Sequence, residues 1–129
     1  MPLPPASLLA AVLPIVGLFH LRLVRAEPAP GARVGAPPAA VRLWLSQRPT
    51  LSVTSVRVLD ARGAAVPTGA PTMADGAGAP VVVPVRARLA PGRYTVRWRT
   101  MARDGHVVDG SFAFAVAAAG SGASPAGTR

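Results

Sequence analysis

The sequence contains no cysteine and no lysine, so all 14 of its basic residues are arginine. Without cysteine, the chain has no disulfide, no zinc–thiolate site and no blue-copper centre, since the last requires a Cys ligand. Histidine occurs only at His20 and His106, and the chain has five acidic residues. A site that needs imidazole is therefore restricted to two positions.

The formal net charge of +9 could attract the chain to acidic surfaces. The arginines are spread from Arg22 to Arg129 without a run, as expected from the codon bias of a GC-rich genome. They form no basic stripe interleaved with aromatic residues, which argues against a nucleic-acid binder. We interpret them as a solvated surface.

The first 19 residues are uncharged and mainly apolar, and Pro14 interrupts them. Because a membrane-spanning helix needs about 20 apolar residues, we predict a secretory signal peptide over residues 1–19. The protein would then be periplasmic or extracellular. Cleavage before His20 would free its α-amine, whereas cleavage after Ala26 would discard this histidine.

Apolar and polar residues alternate through several short segments, as in strands with one buried face. The clearest are Val41–Ser46, Val56–Leu59, Tyr94–Arg99 and Phe112–Val116. Further strands are predicted near residues 21–26 and 81–88, the latter at an edge or bulged because of Pro84. Six or seven short strands predict an all-β fold, an antiparallel Greek-key β-sandwich or barrel.

This pattern predicts one domain over residues 20–116, followed by a flexible low-complexity tail over 117–129. The stretch 67–80 reads as a long loop rich in Gly, Ala, Pro and Thr. Three side chains are interpreted as packing residues: Trp44, Tyr94 and Trp98. Three acidic residues are interpreted as turn residues: Asp60, Asp75 and Asp109.

The two histidines form part of a possible metal site. A free α-amine and the imidazole of His20 would close a six-membered chelate ring on one ion. Asp104 and His106 are two residues apart and can project to one side, and Gly105 tolerates the turn between them. Three nitrogens and one carboxylate suit Cu(II), which favours tetragonal N and O donors.

Three stretches of the sequence match a known pattern: His20–Leu23 with Glu27–Gly31, Val41–Ser46, and Ala90–Arg99 continuing through Asp104-Gly105-His106 to Gly110–Phe114. In these stretches the sequence resembles the CopC copper-resistance family. The resemblance implies a cupredoxin-like or immunoglobulin-like barrel that binds one Cu(II) per chain through His20, Asp104 and His106. It implies a monomeric carrier, not an enzyme, that sequesters copper or delivers it to a CopD-like inner-membrane transporter.

Some positions depart from the family pattern. Gln47 stands where a Glu commonly supports the copper ligands, which puts the tuning of those ligands in doubt. Methionine occurs only at positions 1, 73 and 101, too scattered for a Cu(I) thioether site.

Two other functions are compatible with the strand pattern. A metal-free immunoglobulin-like interaction module needs only the β-framework. A copper oxidase resembling polysaccharide monooxygenases would also use an N-terminal histidine, although Asp104 as a ligand would stabilise Cu(II) against reduction.

Overall fold

The computed structural model describes residues 20–119 as two β-sheets that share one hydrophobic core. The strands are β1 Leu23–Glu27, β2 Arg33–Val34, β3 Ala40–Leu45, β4 Ser55–Leu59, β5 Ala65–Val66, β6 Thr72–Met73, β7 Val81–Pro84, β8 Gly92–Met101 and β9 Val107–Val116. A single 3-10 turn, Leu51–Val53, precedes β4. The predicted all-β sandwich is confirmed.

One sheet has the strand order β1-β3-β7-β6, and the other has the order β2-β9-β8-β4-β5. All pairs are antiparallel except β2 with β9. The chain leaves the first sheet after β1 and enters the second beside β9, running in the same direction. Backbone bonds fix this crossing, from Gly31 N to Ala113 O at 2.7 Å and from Ala115 N to Ala32 O at 2.9 Å.

The core is built from the alternating residues that the sequence pattern identified. Side chains that are at most 2% exposed include Val41, Leu43, Val58, Val96 and Phe114. Burying an aliphatic or aromatic side chain of this size contributes about 1.5–3 kcal/mol relative to leaving it exposed. The alternation therefore sets which face of each strand points inward.

The aromatic residues behave largely as predicted. Tyr94 and Trp98 are 6% and 7% exposed, and Tyr94 stacks on Phe114 with ring centroids 5.6 Å apart. The Tyr94 hydroxyl donates to Ala90 O at 2.6 Å, so its polar atom is satisfied. Trp44 is only half-buried, and the Arg25 guanidinium lies 4.5 Å from its ring centroid.

Several local predictions were wrong. The strand expected over 81–88 ends at Pro84, and β7 lies between β3 and β6 instead of at an edge. The loop over 67–80 contains the short strand β6. Asp60 does stabilise a turn, accepting from Arg62 N and Ala64 N at 2.9 Å, but Asp109 lies within β9.

The predicted leader, and all of the predicted tail beyond residue 119, lie outside the described residues. Ala117, at the predicted start of that tail, is 8% exposed and donates from its N–H to Val34 O at 2.8 Å. Between residues 20 and 119, no helix has the length and apolar character needed to span a membrane.

Gly110 makes room for the Trp98 indole across the β8–β9 pair. A Cβ at this position would lie 2.7 Å from Trp98 Cζ2, closer than packed atoms tolerate. We therefore expect Gly110→Ala to lower the free energy of unfolding by about 1–3 kcal/mol through overpacking. Urea unfolding measures the change. The exposed neighbour Ser111→Ala should stay within about 0.5 kcal/mol of the original, and equal losses in both variants would contradict this packing role.

Candidate metal centre

The hairpin between β8 and β9 presents the Asp-Gly-His motif. Met101 and Val107 form the last strand pair, and residues 102–106 make the connection. Ala102 N donates to His106 O, and Gly105 N donates to Ala102 O, both at 2.9 Å. Gly105 has φ +88°, a conformation that side-chain-bearing residues rarely adopt. The glycine predicted for this turn is thus required by its backbone geometry.

Asp104 holds His106 through both of its carboxylate oxygens. Oδ1 accepts a bond from His106 N at 3.0 Å, and Oδ2 lies 2.7 Å from His106 Nδ1. The pKa of Asp104 is lowered, mainly by the backbone bond from His106, then by the imidazole bond, with smaller contributions from the charges of His106 and His20. The carboxylate is therefore ionised at neutral pH, and Nε2 is the His106 nitrogen left for a metal.

His20 is positioned from the opposite sheet, at the start of the chain segment that leads into β1. The Ser46 hydroxyl, just after β3, donates to His20 O at 3.3 Å and accepts from Arg22 N at 2.9 Å. Leu21 anchors the same segment in the core with 2% exposure. The sequence identified Ser46 only as the end of a predicted strand, because its role at this site depends on which two strand ends meet.

The β8–β9 hairpin and the segment that leads into β1 bring the two histidines of the chain together. The His20 and His106 ring centroids are 6.1 Å apart, with the ring planes tilted by 37°. With metal–imidazole bonds of about 2.0–2.1 Å, two rings on opposite sides of one ion have centroids about 6 Å apart. The separation of the rings therefore fits a shared metal ion.

The complete predicted ligand set is not assembled by the side chains as they stand. Both Asp104 oxygens face His106, and within residues 20–119 no three His, Cys, Asp or Glu side chains are grouped to hold a metal. His20 also follows Phe19 in the sequence, so its amine becomes a donor only after cleavage. Asp104 as a ligand remains a prediction, as does the contribution of Gln47.

The centre is open to solvent. The side chains of His106 and Asp104 are 74% and 55% exposed, and His20 is also exposed. An ion bound here could exchange with other ligands without unfolding of the core. Such exposure suits uptake and transfer of an ion better than chemistry that must exclude water.

Comparisons with known proteins agree with this architecture. The CopC domain family profile matches residues 23–117. The chain is similar to the structure of CopC from Methylosinus trichosporium OB3b, at 30% identity and a TM-score of 0.66, covering 77% of this chain and 95% of that one. It is similar to PcoC, a methionine-rich copper resistance protein from Escherichia coli, at 25% identity and a TM-score of 0.64, covering 75% and 98%.

A third relative is the protein YobA of Escherichia coli K12. It is 28% identical over 97 residues, which cover 75% of this chain and 78% of YobA. The family profile spans well over half of the chain and coincides with the two-sheet domain. This protein therefore belongs to the CopC domain family.

Proposed function

We propose that this protein is a secreted Cu(II) carrier that acts in copper resistance or supply. The observation that carries the proposal is the approach of His20 and His106 to 6.1 Å, from two different sheets. Membership in the CopC family and similarity to a copper resistance protein from Escherichia coli support it. The periplasm or the extracellular space is the proposed location.

In this proposal, the cargo is one Cu(II) ion per chain, held by His20, Asp104 and His106. Cleavage before His20 gives two donors from one residue, the α-amine and the ring nitrogen. His106 contributes Nε2, because Asp104 holds its Nδ1. To act as a ligand, Asp104 turns one oxygen toward the ion and gives up the bond that this oxygen makes to His106. Nitrogen and carboxylate donors match the preference of Cu(II).

The proposed role is that of a carrier and not of an enzyme. The exposed ligands allow the ion to pass directly to an acceptor, for which a CopD-like inner-membrane transporter is the proposed partner. The carrier is proposed to act as a monomer.

Calorimetric titration with Cu(II) of the protein beginning at His20 tests this function. We expect one equivalent to bind more tightly than micromolar at pH 7.5. We expect the affinity to fall about tenfold for each pH unit of acidification, because the ion must displace the proton of an α-amine whose ordinary pKa is about 7.7–8.0. The Asp104 carboxylate does not contribute to this pH dependence, because its lowered pKa keeps it ionised at neutral and mildly acidic pH. Binding no tighter than micromolar at pH 7.5 would exclude the carrier function.

Replacing Asp104 with Asn distinguishes its two possible roles. The amide retains the shape of the carboxylate but loses its charge. We expect a loss of about 10–100-fold in Cu(II) affinity if Asp104 only supports His106, and a larger loss if it is itself a ligand. Asp109→Asn removes the same charge from the neighbouring strand and serves as the matched control. Equal affinity in the two variants would show that Asp104 has no part in the site.

A further inference from the structure

The outer face of the five-stranded sheet carries a cluster of arginines that come from separate parts of the sequence. On β8 and β4, buried residues such as Val96, Trp98 and Val58 alternate with exposed ones. The exposed positions of β2, β4 and β8 include five arginines: Arg33, Arg57, Arg93, Arg97 and Arg99. We call this surface the arginine face.

The strand register arranges these arginines in rows. Arg57 lies directly opposite Arg97, and Arg99 lies between Ser55 and Asp109. Ala115 of β9 pairs with Arg93 of β8 on one side and with Arg33 of β2 on the other. Like charges directly opposite on neighbouring strands are destabilising, so the pairing of Arg57 with Arg97 has a cost that the fold alone does not explain.

The arginine face has little negative charge of its own. Asp109 is the acidic residue in its rows, and none of the five arginines forms an ion pair within the described part of the chain. An open surface cavity of about 520 Å³ lies over Arg57, Arg97 and Arg99. What this surface lacks is therefore an anionic partner.

The neutral residues of the arginine face indicate which anion it fits. The aromatic side chains of β8 and β9 point into the core, and small residues separate the arginines: Ser55, Thr95, Ser111, Ala113 and Ala115. Without an exposed aromatic ring, the face lacks a stacking platform for bases. It also lacks the central aromatic anchor that is typical of protein–protein hot spots.

We propose that the arginine face docks on a membrane surface that contains anionic phospholipid. A sheet presents its guanidinium groups as a layer, and each group can bind a lipid phosphate through two parallel hydrogen bonds. Juxtamembrane basic clusters bind anionic lipid by the same charge attraction. The docking does not depend on copper.

The position of the metal centre gives this docking a consequence, which rests on the proposed carrier function. Arg97 and Arg99 lie on β8, and His106 lies in the hairpin that joins β8 to β9. A protein docked by the arginine face therefore holds the centre at the rim of its footprint. There it can meet a membrane acceptor without release into solution.

Co-sedimentation with lipid vesicles tests the docking, using the copper-free protein beginning at His20. We expect binding to phosphatidylcholine vesicles that contain about 30% phosphatidylglycerol, and at least tenfold weaker binding to phosphatidylcholine alone. The triple variant R57Q/R97Q/R99Q should lose at least tenfold in affinity for the anionic vesicles. Raising the salt from about 0.05 M to about 0.3 M should weaken binding by the original protein.

The matched control is R42Q/R86Q/R88Q, which removes the same charge from exposed positions outside the arginine face. We expect this variant to retain vesicle binding within about threefold, since these positions lie outside the proposed footprint. Circular dichroism checks that both variants are folded. Equal losses in the two triple variants, or no preference for anionic vesicles, would overturn the proposal. Because copper is absent, failure here would leave the carrier function untouched.

Discussion

Blocking the α-amine of the protein that begins at His20 should lower its Cu(II) affinity at least about 100-fold. The amine and the imidazole belong to one residue, so once one of them binds, the other is present at a high effective concentration. Acetylation removes the amine as a donor and leaves the ring in place. Because the chain contains no lysine, the α-amine is the one amine group that an acetylating reagent can modify.

A protein beginning at Leu21 is the control for acetylation. Its α-amine has no adjacent imidazole, so acetylation should change its affinity by less than about threefold, with no chelate ring to lose. Competition with a Cu(II) chelator of known affinity measures the Cu(II) affinity of both proteins, each with and without acetylation. If acetylation had the same small effect on both proteins, the amine of His20 would not be a ligand.

Replacing His106 with Ala should also lower Cu(II) affinity at least about 100-fold, since it removes a proposed ligand and not merely a supporting group. The side chain is 74% exposed and bonds only with Asp104 among the described residues. We therefore expect the free energy of unfolding to change by less than about 0.5 kcal/mol. Loss of binding in a stable protein would then report on coordination and not on folding.

Arg103→Ala in the same hairpin loop is the matched control for His106→Ala. Arg103 is exposed and has no hydrogen bond or ion pair within the described chain. Its removal should leave affinity unchanged or slightly raised, because one positive charge near the ion is lost. An unchanged affinity in His106→Ala would show that His106 is not a ligand.

The sequence alone predicted the longer strands well, because alternation is a local property. The residues of β8 alternate in burial as the pattern required, from Tyr94 to Thr100. The two-residue strands β2, β5 and β6 carry no such signal. The inner position of β7 was missed because Pro84 lies at the strand end, where its missing N–H does not interrupt the sheet.

The local part of the candidate site could be recognised from the sequence, and the long-range part could not. Asp104, Gly105 and His106 are neighbours in sequence, so their turn was visible. The approach of His20 to His106 depends on how two sheets pack, and the bonds of Ser46 depend on which strand ends meet. The bonds between Asp104 and His106 were not predicted, and the role of Asp104 as a metal ligand stays a prediction.

The arginine face also could not be predicted from the sequence, because it depends on long-range strand pairing. Scattered arginines in the sequence suggested a solvated surface with no pattern. Arg57 and Arg97 are far apart in the chain, and only the β4–β8 register places them opposite each other. Long-range register is not encoded in local periodicity, so surfaces of this kind emerge only with the fold.

Pulsed electron paramagnetic resonance of the Cu(II)-loaded protein beginning at His20 tests most directly whether both rings hold one ion. The chain has only two histidines, so imidazole labelled with ¹⁵N reports on these two alone. Our account predicts two coordinated imidazoles on a single Cu(II), and one in the His106→Ala variant. A single imidazole in the unaltered protein would contradict it.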